Sequence, residues 1–407
     1  MITRSTSHIL KYQTSSKNNL LGKMFDDYEN DLKCYINLIL SGVLPLKINL
    51  STPLLPVISI ESSAWRQVIY KTASEIIRSQ AQKANDKRYK RYKKLYARCA
   101  KTGRRTAFLG KRYSELNLKP IFKTKYFSIP DLKNFSLMLD QRLVNIRSTS
   151  GAFDEFIQIS TPVKDSSKKN RALMIRLPIK HYKHSLKYRN DSGWTRKNSI
   201  RFRRVSGKYY ADLIYERPEA PQKSNGSTVA FDQGYKKLLS DSNGNHYGTE
   251  LFQIYQQLSL KKQGSKAFKR LLITRNEMIN RTINEINFDD VSHIIIENLK
   301  NVKHKSKSKI FHTVMNKIQR WSYPKTVLKL ERFCEENGVL LTKINPAYTS
   351  QTCSNCGVVD AKSRQGELFD CQHCKIVMDA DTNAAMNILR IGSCGTYGSV
   401  EDTTSSA

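Results

Sequence analysis

The chain has 407 residues, 39% of them hydrophobic, and sets 69 Lys+Arg against 35 Asp+Glu for a formal net charge of +34. An excess of that size opposes compaction unless a polyanion neutralises it, which sets the chain apart from an ordinary enzyme and makes nucleic acid the default partner. No long uncharged apolar span and no signal-peptide pattern is present, so the rival partner, a membrane surface, is disfavoured. Eight cysteines, half of them in one spaced set, fit a reducing intracellular compartment.

In chain order, Ser7–Gln13 reads as a strand, and Leu21, Met24, Tyr28, Leu32, Tyr35 and Ile39 recur at threes and fours, predicting an amphipathic helix over residues 18–40 that closes near Gly42. A Pro-rich connector spans 44–56, and a second helix starts near Ser62 and carries Trp65, Ile69, Ile76 and Ile77. Between Lys83 and Arg112 stand thirteen Lys/Arg and one acid, Asp86, with Tyr89, Tyr92 and Tyr96 at helical spacing. Lys87, Arg88, Lys90, Arg91, Lys93 and Lys94 are candidate phosphate contacts, and Tyr92 is a candidate base-stacking residue. The alternative for the tyrosines is a stripe packed on their own domain.

Residues 118–218 change to short alternating strands (156–159, 172–177, 199–202 and 208–215), with a hairpin at Gly207. Many short strands without helices suggest a small barrel. Residues 218–227 form a Pro/Ser/Asn linker, the best domain boundary in the chain. Beyond it an apolar strand ends at Asp232, a turn at 241–244 closes a hairpin, a basic helical region covers 255–286, and a second apolar strand, 291–296, is followed by Glu297. A basic loop at 300–309, a helix over 326–336 ending at Gly338, and a strand at 339–344 follow.

Two Cys-x-x-Cys pairs, Cys353/Cys356 and Cys371/Cys374, lie fourteen residues apart. Such spacing lets both thiolates of a pair reach one ion, and two pairs complete the tetrahedral shell of a structural Zn²⁺ site; disulfides are the alternative. Gly357 supplies backbone freedom after the first pair. Cys34, Cys99, Cys334 and Cys394 have no ligand spacing. Asp381 opens an alanine-bearing helix and, taken alone, reads as an N-cap or as a carboxylate presented to a site. With Asp232 and Glu297 at strand ends it makes a set of three acids. That is the donor type for two Mg²⁺ ions about 3.5–4 Å apart in phosphodiester hydrolysis.

The motifs FDQG at Asp232, IIIENLKN at Glu297, NPAYTSQTCSNCG, and CQHC followed by DADTNAAMNIL resemble the TnpB family of transposon-encoded RNA-guided nucleases and the related miniature type V CRISPR effectors. The resemblance covers residues 228–391, with GKYYADLIYE resembling the last strand of the family's wedge domain; Ala230 and Ala380 depart from a frequent Gly and a frequent Arg. It implies an α/β multidomain protein. A RuvC (RNase H-like) domain at 228–350 and 378–391 would carry an inserted zinc ribbon at 351–377 for target nucleic acid. A wedge β-barrel at 1–17 and 116–220 would be interrupted by a helical recognition insert at 18–115, and 392–407 would be a disordered tail. It further implies Mg²⁺-dependent, RNA-guided DNA endonuclease activity with Asp232, Glu297 and Asp381 as metal-binding acids, guide RNA and target DNA as partners, and a prokaryotic cytoplasmic, nucleoid-associated location. A nuclease-inactive guided DNA binder or repressor, and a zinc-ribbon DNA-binding factor without a guide, are the alternatives.

Overall fold

The structure, a computed structural model, describes residues 1–46, 55–102, 127–132, 135–165, 171–299 and 321–394. Part of the Pro-rich connector (47–54), the second part of the basic stretch (103–112), the 300–309 loop and the tail from 395 lie outside the described residues. Two compact units divide at Arg217/Pro218.

In the N-terminal unit, β1 (Ile2–Ile9) leads into α1 (Ser15–Leu40), whose first turn is capped by the Thr14 hydroxyl accepting from the Lys17 N–H. The apolar stripe read from the sequence is its buried face: Leu21, Tyr28, Leu32 and Tyr35 are fully buried. Gly42 ends the helix region with φ +84°, a left-handed conformation that costs glycine little. Asp31 is buried as well, and its carboxylate accepts the N–H groups of Ser59 and Ile60, each at 3.0 Å, fixing the approach to α2. α2 (Ser63–Thr102) joins the two separately read helical stretches into one 40-residue helix. Trp65, Ile69, Ala73 and Ile77 anchor it, Ala84 is the last buried residue before its basic end, and from Asp86 the described side chains are exposed or half-exposed.

Among the described residues, the remaining strands of this unit are hydrogen-bonded as two sheets rather than one closed ring. β2 (Ser136–Leu139), β6 (Thr195–Val205) and β7 (Lys208–Arg217) join β1 in the order β1-β7-β6-β2, and β3 (Val144–Ser148), β4 (Glu155–Asp165) and β5 (Arg171–Ile179) form the second sheet. The chain changes sheet at the Asp140–Leu143 turn, where the N–H groups of Leu143 and Val144 return to the Asp140 carbonyl. A short helix, α3 (Lys183–Asn190), connects β5 to β6. Ser206 (φ +49°) and Gly207 (φ +74°) make the two-residue hairpin expected at Gly207, since two left-handed residues match the twist of the strands they join.

In the C-terminal unit a five-stranded sheet runs β10-β9-β8-β11-β12, built from β8 (Ser227–Asp232), β9 (Leu239–Asp241), β10 (His246–Tyr247), β11 (Val291–Glu297) and β12 (Leu340–Ile344). β8, β9 and β10 are antiparallel neighbours, whereas β11 is parallel to both β8 and β12. Parallel central strands are covered on both faces, which is why β8 and β11 read as continuous apolar runs. Val229, Phe231, Ile294 and Ile296 face α4 (Leu251–Leu260), α5 (Lys266–Glu285) and α6 (Tyr323–Asn337) through Tyr255, Leu258, Ile283 and Leu330. Ala230 and Ile295 point the other way, onto Ile388 of α7 (Ala380–Cys394). The single basic helical region expected over 255–286 is two helices, broken where Gly264 takes φ +84° and the Ser265 hydroxyl caps α5. Among the described residues no helix is long and apolar enough to cross a membrane.

Candidate active site

Strand alternation decides where the three acids go. Phe231 of β8 is opposite Ile296 of β11, so the next residues, Asp232 and Glu297, end two parallel neighbours at one edge of the sheet. Asp232 shares a face with Ala230 and Glu297 with Ile295. That face is the one covered by α7, and α7 begins with Ala380-Asp381. Buried Ala384 and Ala385 let the helix lie close on the sheet, and at Gly392 an added Cβ would meet Ile295 side-chain atoms at 2.6 Å. Three elements thus bring Asp232, Glu297 and Asp381 to one region.

Their environments differ. Glu297 and Asp381 are each 8% exposed, and Asp232 is partly buried. Burial pushes the Asp232 carboxyl well above the usual aspartate range, and the charges of Glu297 and Asp381 push it further; Arg364 and the Gln233 N–H offset part of this. Burial also raises Glu297, against a hydrogen bond from the Thr349 hydroxyl to Oε1 at 2.5 Å and the charge of Arg364. Asp381 has protein cations at both oxygens: Arg364 Nη2 lies 2.7 Å from Oδ1 and Lys237 Nζ 3.6 Å from Oδ2. Lys237 is itself nearly buried and lies 2.5 Å from Asp379 Oδ2.

Asp381 is not the residue that caps its helix. Asp379 Oδ1 accepts the N–H groups of Asp381 and Thr382, each at 3.0 Å. With that cap supplied two residues earlier, the N-cap reading of Asp381 is set aside and its carboxylate is not used in capping α7. Arg364, Lys237 and Thr349 were not singled out from the sequence. No spacing pattern marks them, because each reaches the acids only through tertiary folding; the one clue was Lys237 following the Asp-x-Gly of FDQG.

Three carboxylates offering hard oxygen donors fit a divalent cation such as Mg²⁺. Among the described residues, however, the only group of three or more His, Cys, Asp or Glu ligand atoms lying within 4.8 Å of one another is Cys353, Cys356, Cys371 and Cys374. The acids are more widely held, with Asp381 drawn to Arg364 and Lys237.

The cysteines close a ribbon made of β13 (Arg364–Gln365), β14 (Leu368–Asp370) and β15 (Val377–Asp379). Sγ–Sγ separations are 3.6 Å (Cys353–Cys374) and 3.7 Å (Cys356–Cys371), against about 3.8 Å for the edge of a tetrahedron with Zn–S of about 2.3 Å. The two knuckles repeat one geometry. Gly357 and Lys375, each directly after its pair, have φ +78° and +61°, and their N–H groups return to the Cys353 and Cys371 carbonyls at 2.9 Å. The donors therefore fit Zn²⁺. Ala380, the first residue of α7, packs among Cys353, Phe369 and Cys371, joining the ribbon core to the helix that carries Asp381.

The nucleic-acid candidates all lie on the last turns of α2. Lys87, Lys90, Arg91, Lys93 and Lys94 are exposed and Arg88 is half-exposed. Tyr89 is 37% exposed, and the Tyr92 side chain lies outside the described residues.

Residues 323–388 match the family profile described as the Cas12f1-like TNB domain. A CRISPR-associated endodeoxyribonuclease Cas12f1 of Sulfoacidibacillus thermotolerans is 43% identical over 72 residues, 17% of this chain and 17% of that protein. A TnpB-like protein of Methanocaldococcus jannaschii is 30% identical over 100 residues, 24% of this chain and 34% of that protein. The matched segments thus span about a third or less of these relatives. In fold, the chain is similar to CasPhi-2 (Cas12j), solved bound to crRNA and phosphorothioate DNA, with a TM-score of 0.52 and 10% identity over 97% of this chain and 92% of that one. Through its C-terminal ribbon and the motifs around it, the chain is thus similar to Cas12f1 and TnpB-like proteins.

Proposed function

We propose that the chain is an RNA-guided DNA endonuclease whose C-terminal unit is a RuvC-type, RNase H-like nuclease domain. The observation that carries this reading is the convergence of Asp232, Glu297 and Asp381 from β8, β11 and α7 on one face of a mixed sheet, with Asp232 and Glu297 both held above the usual carboxylate range. Mixed order, with three antiparallel strands followed by two parallel ones, supports the RNase H-like assignment. Kinship with a protein named endodeoxyribonuclease supports the activity, and the net charge of +34 supports nucleic acid as guide and target.

Asp232, Glu297 and Asp381 would hold the Mg²⁺ ions. When bound, these supply an activated water and stabilise the leaving oxygen of the phosphodiester. The chain's own residues do the rest. Asp379 caps α7 and leaves Asp381 available, Thr349 fixes one oxygen of Glu297, and Arg364 and Lys237 set positive charge beside the acids. The cysteine ribbon would hold Zn²⁺ structurally, since four thiolates leave no open coordination position. Guide pairing would supply sequence specificity, with the protein reading backbone shape and a short adjacent motif.

The test is cleavage of a plasmid matched to the RNA that co-purifies with the protein. Asp232→Ala, Glu297→Ala and Asp381→Ala should each abolish cutting while binding of that RNA and target persists, because affinity comes from Lys and Arg contacts to phosphate. Cleavage within a few-fold of wild type in any one of them, or a protein that purifies free of RNA, would overturn the reading.

A further inference from the structure

We propose that Thr349, held in place by Asn383 and Asn387, is a positioning residue that sets Glu297 against Asp381 for cation binding; this rests on the nuclease reading above. Thr349 is 2% exposed, and its hydroxyl is within reach of the Pro346 carbonyl at 3.2 Å but much nearer Glu297 Oε1. A hydroxyl has one proton to donate, and the buried carboxylate is the stronger acceptor.

The backbone that carries Thr349 is gripped from the helix that carries Asp381. Asn387 Nδ2 donates to the carbonyls of Thr349 (3.0 Å) and Thr352 (2.7 Å). Asn383, one turn earlier on the same face of α7, donates to Thr352 O at 2.8 Å and accepts from the Ser354 N–H at 2.8 Å. Both asparagines are fully buried. Two carbonyl partners fix the orientation of the Asn387 amide, because only its NH₂ can serve both. Its Oδ1 then meets no donor among the described residues, a desolvation cost that an apolar side chain of similar size would avoid. The amide is explained by what its N–H groups hold.

Tyr348 points to the same device. It is 64% exposed and takes φ +64°, a conformation non-glycine residues seldom adopt, and it persists because its carbonyl accepts from Gln351 N, Thr352 N and the Thr352 hydroxyl. That bend turns the next residue, Thr349, inward to Glu297. A continuous path, Asp381–α7–Asn387–Thr349–Glu297, therefore sets the spacing of two acids whose strand and helix are far apart in sequence. Cys353, the first zinc ligand, lies between the gripped residues Thr352 and Ser354, so the ribbon root is part of the brace.

The experiment is calorimetric titration of Mn²⁺ alone into the zinc-loaded full chain, for wild type, Thr349→Val, Thr349→Ser and Asn387→Ala, with zinc content and a thermal melt confirming that each is folded. Removing an outer partner of a ligand typically weakens metal binding about 10–100-fold. Thr349→Val, which keeps the shape and loses the hydroxyl, should weaken Mn²⁺ by about that factor, Thr349→Ser should return to within a few-fold of wild type, and Asn387→Ala should resemble Val. Mn²⁺ binding by Thr349→Val at the wild-type affinity, or equal losses in Val and Ser, would overturn the hydroxyl's role. Folded Asn387→Ala with wild-type affinity would overturn the brace. No Mn²⁺ binding by wild type itself overturns the carboxylate cation site and this inference with it, and the wild-type titration separates that failure from the others.

Discussion

Replacing Asp232 with Asn tests the electrostatic account of the site without any nucleic acid. Asp232 is held well above the usual aspartate range by burial first, then by the charges of Glu297 and Asp381. The sign follows from proton counting. Between the unfolded aspartate range and the raised folded value, the folded chain keeps a proton that the unfolded chain has lost, so stability is greatest below that window and falls as pH rises through it. The loss is about 1.4 kcal/mol for each pH unit of the window per proton, equivalent to roughly 2–4 °C of melting temperature per kcal/mol for a unit of this size. Asn cannot ionise, so Asp232→Asn should flatten this part of the slope and melt above wild type at pH 8. The comparison of the two proteins cancels every other titrating group that the substitution leaves undisturbed. Adding Mg²⁺ at pH 8 should raise the wild-type melting point, by about 1.4 kcal/mol at ten times its dissociation constant, and should do so much less for the variant. The assay is thermal unfolding of zinc-loaded protein from pH 5 to pH 8, with and without Mg²⁺. Identical pH slopes, with the variant no more stable at pH 8, would refute the reasoning.

Other outcomes follow from the same side chains. Cys371→Ser should lower zinc below one per chain by elemental analysis and reduce the melting temperature, because Cys371 shares a buried cluster with Ala380 at the start of α7; full zinc content would count against a four-thiolate site. Asp379→Ala should cost about 1 kcal/mol in denaturant unfolding through loss of the α7 cap, and Asp379→Asn should recover most of it, since an amide oxygen can still accept the Asp381 and Thr382 N–H groups. Replacing Lys90, Arg91, Lys93 and Lys94 together should weaken nucleic-acid binding for every sequence and reduce the log–log salt slope by about 0.9 for each phosphate no longer neutralised. Tyr92→Ala should instead weaken binding by about 1–3 kcal/mol with little change in slope if it stacks on a base. Binding isotherms at several salt concentrations separate the two.

How much of this was legible beforehand depends on the range of the interaction. α1 and the first turns of α2 were readable because a helix pairs residues three and four apart, and the buried residues are the ones so spaced. β8 and β11 were readable because strands covered on both faces are apolar throughout, and the carboxylates that end them stand out against that background. The barrel expected for residues 118–218 was not decidable from alternation. Inward and outward residues alternate identically whichever neighbour a strand chooses, so the split into two sheets is set by pairings that no single strand records. The break between α4 and α5 did have a local signal, Gly264-Ser265, which the basic composition around it obscured.

The site shows the same division, with a consequence for its chemistry. Asp232, Glu297 and Asp381 each sit at the end of a recognisable element, so sequence could nominate them. It could not say how their charges are balanced, because the balancing groups arrive from elsewhere. Arg364 comes from the ribbon and pairs with Asp381, while Lys237, from the β8–β9 connection, is bonded to Asp379 and lies 3.6 Å from Asp381. Asp232 receives no side-chain cation within ion-pair distance among the described residues, and Glu297 receives one hydroxyl. The protein's own cations thus lie against one acid and leave the other two, at adjacent strand ends, held above the ordinary carboxylate range. The unmet electrostatic demand is therefore concentrated at Asp232 and Glu297. A divalent cation gains most where carboxylates are gathered and not already neutralised, so Asp232→Asn should reduce Mg²⁺ stabilisation more than removal of either protein cation does. Because Arg364 is carried on β13 of the ribbon, the ribbon closed by the four cysteines takes part in that balance as well as in the packing of α7.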